Sequence, residues 1–319
     1  MKKPNNIKKE DIIAISSMSD GILKESKQKK LFKAIKRLET EFTITKDEHI
    51  TCSVKGESCD ARTRAKDFMK LVEDKNVKCI IGVTGGNYLI EVLDYLNFDL
   101  IKKNVKWIQG QSDITILLYL ITTKYDIQTI YSYNANSMAN ISDEEYNNNI
   151  LVLKGEKIIQ NDFKYQLIDG EKQVSHWVCK QDVDLTGRII GGCLECLMDL
   201  VGTEYDYTTK FIEKYKNDGI IWYFDIDYMN NEQLLRNLWH LQKLGWFKYS
   251  KCIILGRVEE TSYTGITLDE TLIRGLRELN VPIITNFDLG HTYPRITIVN
   301  GSIVRLICNE KEHKVEIIN

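Results

Sequence analysis

The sequence lacks any long hydrophobic run. Its longest apolar stretches, such as Ile114 to Ile121, are far shorter than the roughly 20 residues that span a bilayer. The N-terminus is charged, and no apolar segment with a small-residue cleavage site follows it. We therefore expect no membrane partner and no secretory signal.

An excess of either charge is also missing. The chain has 43 Lys and Arg against 45 Asp and Glu, a net charge of −2. The chain therefore lacks the overall positive charge that is typical of nucleic-acid-binding proteins, although this balance does not exclude a local basic patch. The 8 Cys do not follow the spacing of a small disulfide scaffold. They indicate reduced thiols in a cytoplasmic protein.

A length of 319 residues suggests two domains, at about 150 residues each. In residues 1–150, short apolar runs alternate with helical periodicity, which predicts βαβ units and a flavodoxin-like or glutaminase-like parallel sheet with helices on both faces. Residues 151–319 predict a mixed, strand-rich α+β domain. The polar, Asn-rich residues 134–149 are the linker candidate, with a surface loop as the alternative.

Two turns that follow predicted strands contain residues suited to acyl-transfer chemistry. In Gly110–Asp113, Ser112 stands between a strand and a helix, at the edge where open α/β sheets bind ligands. It suits a nucleophile, but helix capping is the common use of such a serine. In Thr84–Asn87, Gly85 and Gly86 suit an anion or oxyanion contact, or simply a tight turn.

A histidine base for Ser112 must be one of only 5 His. His291 follows a Gly directly after a predicted strand, which suggests a loop that points into a cleft. His176, beside Trp177, is the competitor. The remaining histidines lie in charged stretches or in an amphipathic helix: His49, His240 and His313.

An acid is needed to orient this histidine and to stabilise its charged form. Asp225 ends the apolar strand Ile220–Asp225, and Asp227 shares its face if the strand continues. Helix capping is the alternative use of both acids. A structural zinc site at Cys193 and Cys196 would need a second pair of ligands at a matching spacing, and the sequence shows none. We therefore interpret these two cysteines as buried thiols.

The order of these motifs resembles the LD-carboxypeptidase family of serine peptidases, which includes muramoyltetrapeptide carboxypeptidases and microcin C self-immunity proteins. The resemblance runs through nearly the whole chain. Its main segments are Asp60–Asp67, Thr84–Asn87, Gln109–Thr115, Gly187–Leu194 and Asp288–Pro294.

The resemblance implies the roles of individual residues. Ser112 would be the nucleophile, His291 the general base and Asp225 the acid, at a position where most of the family has Glu. The oxyanion would be held by backbone N–H groups, and a substrate carboxylate by arginine. The oxyanion candidates are Asp113 with Gly85 or Gly86, and the arginine candidates are Arg257 and Arg295.

The resemblance also implies a substrate, a cytosolic muropeptide that loses a terminal D-amino acid during cell-wall recycling. No metal ion or organic cofactor is required, and a homodimer is expected. Two alternatives stay open. One is a self-immunity hydrolase of peptidyl or aminoacyl nucleotides, for which Trp177, Trp222 and Tyr223 are candidate stacking groups. The other is a homologue that binds muropeptides without hydrolysing them, motivated by the shorter acid at position 225.

Overall fold

The computed structural model describes residues 1–156, 158–259 and 261–318. The chain divides into two compact units. Unit 1 comprises residues 1–158 and 296–301, and unit 2 comprises residues 159–295 and 302–319. Among the described residues, no helix has the length and apolar character needed to cross a membrane.

Strands and helices alternate through the first stretch of unit 1. They are β1 Ile12–Ser16, α1 Glu25–Leu38, β2 Thr43–Lys46, α2 Ala61–Glu73, β3 Val77–Gly82, α3 Phe98–Lys103, β4 Trp107–Gly110, α4 Thr115–Tyr125, β5 Thr129–Tyr131 and α5 Asp143–Leu153. Short 3₁₀ turns cover Leu89–Tyr95, Ser112–Ile114 and Ala135–Ser137.

Unit 2 is richer in strands. Its first stretch contains β6 Ile159–Asn161, β7 Tyr165–Ile168, β8 Glu171–Val174, β9 Val178–Cys179, β10 Val183–Cys193, α6 Leu194–Leu200, α7 Thr208–Lys214, β11 Ile220–Asp225, α8 Asn231–Lys243, β12 Ser250–Gly256, α9 Leu268–Gly275 and β13 Ile283–Phe287. The chain then supplies β14 Ile298–Asn300 to unit 1, and β15 Ile303–Cys308 and β16 His313–Ile317 to unit 2.

The sheet of unit 1 has the strand order β14-β5-β4-β3-β1-β2. All neighbours are parallel except β14 and β5. β3 and β4 consist almost wholly of buried residues, as strands of a covered parallel sheet do. Because β3 and β4 are parallel neighbours, the turns that follow them lie at the same edge of the sheet.

The eight-stranded sheet of unit 2 has the order β6-β16-β15-β10-β11-β12-β13-β9. Its central strands β10 to β13 are parallel, and the outer pairs are antiparallel. The predicted fold class, a parallel-rich α/β sheet followed by a mixed strand-rich part, is confirmed.

The Asn-rich segment 134–149 is not a linker. Its second half begins α5, where the Ser142 side chain and Glu145 form a reciprocal capping box. Asn134 and Asn149 are buried and hydrogen-bonded within unit 1. Asparagine-rich composition suggests a loop, but here the amides satisfy buried polar groups that composition alone does not reveal.

Candidate active site

The serine turn, Gly110–Asp113, connects β4 to α4 in unit 1. Ser112 is partly exposed and has a φ of 59°, a left-handed conformation that is uncommon for a side chain with Cβ. The residue before it is held firmly, because the Gln111 N–H donates to Asn134 Oδ1 at 3.1 Å. Such strain at a strand-to-helix turn is typical of functional positions.

The glycine turn, Thr84–Asn87, lies against Ser112. A Cβ built on Gly85 would be 2.8 Å from Ser112 Cβ, 3.0 Å from its Oγ and 3.6 Å from the Asp113 nitrogen. Only glycine therefore allows the backbone at position 85 to approach the serine this closely. Gly86 is equally constrained, since its Cβ would lie 2.2 Å from Ser19 Oγ.

Asp113 fixes the two turns of unit 1 to their surroundings. Its buried carboxylate accepts hydrogen bonds from the Ser19 hydroxyl and, at 2.9 Å, from the Leu89 N–H. Burial raises the pKa of Asp113, and these two hydrogen bonds only partly oppose the rise. The side chain of Asp113 thus supports the turn, and its backbone N–H remains the candidate oxyanion donor.

Buried Arg64 of α2 braces the segment after the glycine turn. Its guanidinium donates to the Tyr88 carbonyl at 3.0 Å and pairs with Glu57 and Glu91, each at 3.2 Å. An arginine that is fully enclosed needs all of these partners, because an unpaired buried charge is costly. The sequence analysis placed Arg64 within Asp60–Asp67, a segment of the family resemblance, but did not predict this contact.

The histidine loop, Asp288–His291, follows β13 in unit 2. His291 Nδ1 lies 3.0 Å from Oδ1 of Asp225, the fully buried last residue of β11. Asp227 is on the other side of the ring, with Oδ2 3.7 Å from Nε2. Within the described residues, Nε2 of His291 is buried and has no hydrogen-bond partner.

The charges around His291 set its protonation. Burial alone lowers the pKa of His291, but the negative charge of Asp225, its hydrogen bond to the ring and the charge of Asp227 outweigh it. The net effect raises the pKa of His291 above its ordinary value. Burial is also the main cause that raises the pKa of Asp227.

Glu195 of α6 supports the segment that contains Asp227. Its Oε1 accepts the backbone N–H groups of Asp227, Tyr228 and Met229 at 3.1 to 3.2 Å, and its Oε2 accepts the Cys193 thiol at 3.2 Å. Sequence reading missed Glu195. Its only signal was its position between the two cysteines, which gives no hint of three backbone donors.

Arg257 lies in a buried network of hydrogen bonds next to the histidine loop. It is buried, its guanidinium donates to the Pro294 and Tyr165 carbonyls at 2.7 and 3.1 Å, and it also binds the Asp288 carboxylate. Arg295 is buried as well, and it donates to the Gly290 carbonyl at 3.1 Å. Both arginines hold the histidine loop. Their assignment to a substrate carboxylate stays a prediction that these contacts do not favour.

The candidate stacking groups and the cysteine pair are enclosed within unit 2. Trp177, Trp222 and Tyr223 are buried, and the Trp222 ring packs against Trp246 and Phe224. None of the three presents an open face for a nucleoside base. Cys193 and Cys196 are also buried, and neither forms a disulfide among the described residues.

Two segments of the chain match the two domains of one known protein family. Residues 13–132 match the family described as the LD-carboxypeptidase N-terminal domain, and residues 186–306 match the LD-carboxypeptidase C-terminal domain. The chain belongs to the LD-carboxypeptidase family. Membership in this family supports a hydrolase of the peptidase class.

Two curated proteins illustrate the family. The chain is 28% identical over 326 residues to the Bacillus subtilis protein named "Putative carboxypeptidase YocD", with 95% of each chain covered. It is 26% identical over 276 residues to the microcin C7 self-immunity protein MccF of Escherichia coli, which covers 75% of this chain and 74% of MccF.

Solved structures share the fold. Wild-type MccF without ligand has a TM-score of 0.86 at 21% identity, over 99% of this chain and 98% of that one. Muramoyltetrapeptide carboxypeptidase from Oxalobacter formigenes has a TM-score of 0.77 at 20% identity, over 97% of this chain and 99% of that one. MccF has also been solved with aspartyl sulfamoyl adenosine, at a TM-score of 0.85 and 21% identity over 99% of this chain and 98% of that one.

Proposed function

We propose that the protein is a serine-type LD-carboxypeptidase that hydrolyses the amide bond to a terminal D-amino acid of a muropeptide. The observation that supports it most is the pairing of His291 Nδ1 with buried Asp225, while Nε2 has no hydrogen-bond partner among the described residues. This is the arrangement of a general base whose orientation is fixed by a carboxylate.

In this proposal, Ser112 Oγ attacks the scissile carbonyl carbon, and its proton passes to Nε2 of His291. The developing oxyanion takes hydrogen bonds from the Asp113 N–H and from an N–H of Gly85 or Gly86. Asp225 stabilises the imidazolium, which then protonates the leaving amine. Water, deprotonated by His291, hydrolyses the acyl-enzyme and regenerates the Ser112 hydroxyl.

Hydrolysis of an aminoacyl or peptidyl nucleotide is the second candidate. The likeness to MccF, a protein solved with aspartyl sulfamoyl adenosine, favours it. The chemistry at Ser112 would be the same. The burial of Trp177, Trp222 and Tyr223 means that a base would need stacking groups other than these three.

The first test offers both substrate classes to the same protein. Purified enzyme is incubated with a muramoyl tetrapeptide, and release of D-Ala is followed by mass spectrometry, in parallel with a peptidyl adenylate analogue. We expect D-Ala release by the native chain and none by Ser112→Ala. Cleavage of the nucleotide alone would support the second candidate. Binding of the tetrapeptide without turnover would support a non-hydrolytic homologue.

The homodimer and the cytoplasmic location belong to the same proposal. Analytical ultracentrifugation of the full chain tests the first, and fractionation of the producing cells tests the second. A monomer at micromolar concentration would remove the dimer from the proposal without affecting the roles of Ser112 and His291.

A further inference from the structure

Besides the pair Asp225 and His291, unit 2 contains a separate cluster of chemically active side chains. It consists of Asp162, His176 and His313. Asp162 Oδ2 is 2.9 Å from His176 Nδ1 and 3.1 Å from His313 Nδ1. One potential ligand atom from each of the three residues lies within 4.8 Å of the others.

The three side chains come from separate stretches of chain. Asp162 follows β6, and its backbone N–H donates to the carbonyl of His313, the first residue of β16, at 3.2 Å. His176 lies between β8 and β9. The side chain of Asp162 is 5% exposed and that of His313 is 18% exposed, whereas His176 is 48% exposed. The cluster is thus anchored on the sheet and open to solvent on one side.

The chemistry of this set suits a divalent transition metal. Two imidazoles and one carboxylate are the ligands of many three-residue zinc sites, with water in the fourth position. Four ligands about 2.0 Å from a tetrahedral zinc ion lie about 3.3 Å from one another. The two oxygen–nitrogen distances of 2.9 and 3.1 Å are close to this spacing, and all three potential ligand atoms lie within 4.8 Å of one another.

We propose that Asp162, His176 and His313 form a Zn²⁺ site, with water as the fourth ligand. Each imidazole offers the lone pair of one ring nitrogen to the ion, and the proton of the neutral ring then lies on the other nitrogen. The alternative is a metal-free cluster in which both imidazoles only hydrogen-bond to the carboxylate. Zn²⁺ titration separates the two.

The cluster is connected to the histidine loop through the residues next in sequence. Phe163 follows Asp162, and Trp177 follows His176. The Phe163 N–H and the Trp177 Nε1–H both donate to Asp288 Oδ2, at 2.8 and 2.9 Å. The Trp177 ring also stacks on His313, with centroids 5.8 Å apart. A bound ion would therefore stiffen the two segments that hold Asp288, the first residue of the histidine loop.

Isothermal titration of the chelator-treated full chain with Zn²⁺ tests the proposal. We expect one ion per chain and a rise in Tm with zinc. His176→Gln should weaken binding about 100-fold, with Asp162→Asn and His313→Gln at least as severe. The His176 variant is the decisive one, because a half-exposed position tolerates substitution without loss of the fold.

His49→Gln is the matched control. His49 also has Nδ1 2.9 Å from an aspartate oxygen, that of Asp67, but it is not part of a group of three metal-ligating residues among the described residues. We expect this variant to bind Zn²⁺ as the native chain does.

The absorption spectrum of the Co²⁺-substituted protein distinguishes metal binding by cysteine from binding at the proposed site. A site of nitrogen and oxygen ligands gives the visible bands of tetrahedral cobalt without thiolate-to-cobalt charge transfer. The proposal is overturned if the native chain takes up no zinc, if His176→Gln binds it equally well, or if the cobalt spectrum shows thiolate ligation. None of these readouts depends on peptidase activity.

Discussion

Two acids flank the ring of His291, and their roles differ. Asp225 lies at Nδ1 and is fully buried, so Asp225→Asn should lower kcat by about 10⁴, as loss of the orienting carboxylate does in serine peptidases. Asp227 lies 3.7 Å from Nε2, the atom that takes the serine proton in the proposed mechanism. We expect Asp227→Asn to keep most of the activity at alkaline pH.

The pH profile distinguishes the two acids further. Activity requires neutral His291, so kcat/KM should fall as the pH drops through its raised pKa. Asp227 contributes to that rise, so Asp227→Asn should lower the pKa of His291 and move the acidic limb to lower pH. Asp182→Asn, an exposed change in the same unit, is the control. An unmoved limb in Asp227→Asn would contradict the assignment.

Gly85 is a position where the addition of one Cβ atom should change the activity. In Gly85→Ala, the new Cβ would press on Ser112 Cβ at 2.8 Å and displace the turn that we propose as the oxyanion contact. We expect kcat to fall by about 10² to 10³, the loss typical for one oxyanion donor. The measurement is kcat together with the rate of labelling by a serine-directed fluorophosphonate.

Gly170→Ala is the control for Gly85→Ala. A Cβ at position 170 meets nothing within 4 Å, although its φ of 84° strains the backbone by about 1 kcal/mol. Stability should fall slightly and activity should not. Equal activity in both variants would show that the approach of Gly85 to Ser112 has no catalytic role.

At the scale of elements, α6 is a short helix whose Glu195 organises the segment after β11. One carboxylate oxygen accepts three successive backbone N–H groups at 3.1 to 3.2 Å. A single hydrogen bond to a charged group contributes about 1.5–3 kcal/mol, and three long bonds that share one oxygen are each weaker than that. Glu195→Ala should lower the free energy of unfolding by about 3 kcal/mol, and Glu195→Gln by less, because the amide keeps one acceptor oxygen.

Hydrogen exchange and urea unfolding measure this effect. Amides 227–229 should exchange faster in Glu195→Ala than in the native chain, while β5 in unit 1 keeps its protection. Exposed Glu204→Ala is the control and should change neither quantity. If Glu195→Ala leaves amides 227–229 protected, the segment is held by other contacts.

For the whole molecule, the notable feature is the path of the chain. After unit 2 is nearly complete, residues 296–301 return to unit 1 and add β14 antiparallel to β5. Ile298 in β14 is buried, so Ile298→Ala should cost about 2–4 kcal/mol of stability. The loss of stability should affect β5 of unit 1, although β5 lies far from Ile298 in the sequence.

Exchange of the β5 amides, residues 129–131, tests this prediction. They should lose protection in Ile298→Ala, because β5 pairs directly with β14. Ile303→Ala, a half-buried change in β15 of unit 2, is the comparison and should leave these amides protected. Faster exchange confined to unit 2 would contradict the role of β14.

The domain division at residue 150 stays a prediction, and the roles of Ser112, Asp225 and His291 stay proposals. Sequence alone nevertheless determined much of their setting. Apolar runs predicted the strands that precede the glycine turn and the serine turn and the strand that ends at Asp225, because side-chain burial follows local period. The order of the motifs predicted the family, which the two domain matches confirm.

Only the tertiary structure decided which groups meet. The pairing of Asp225 with Nδ1, the position of Asp227 at Nε2, the burial of Arg257 and the gathering of Asp162, His176 and His313 join residues far apart in sequence. Such contacts depend on strand order, register and loop path. Local sequence pattern reports which face of an element is buried, but it does not report which distant side chain will occupy the space beside it.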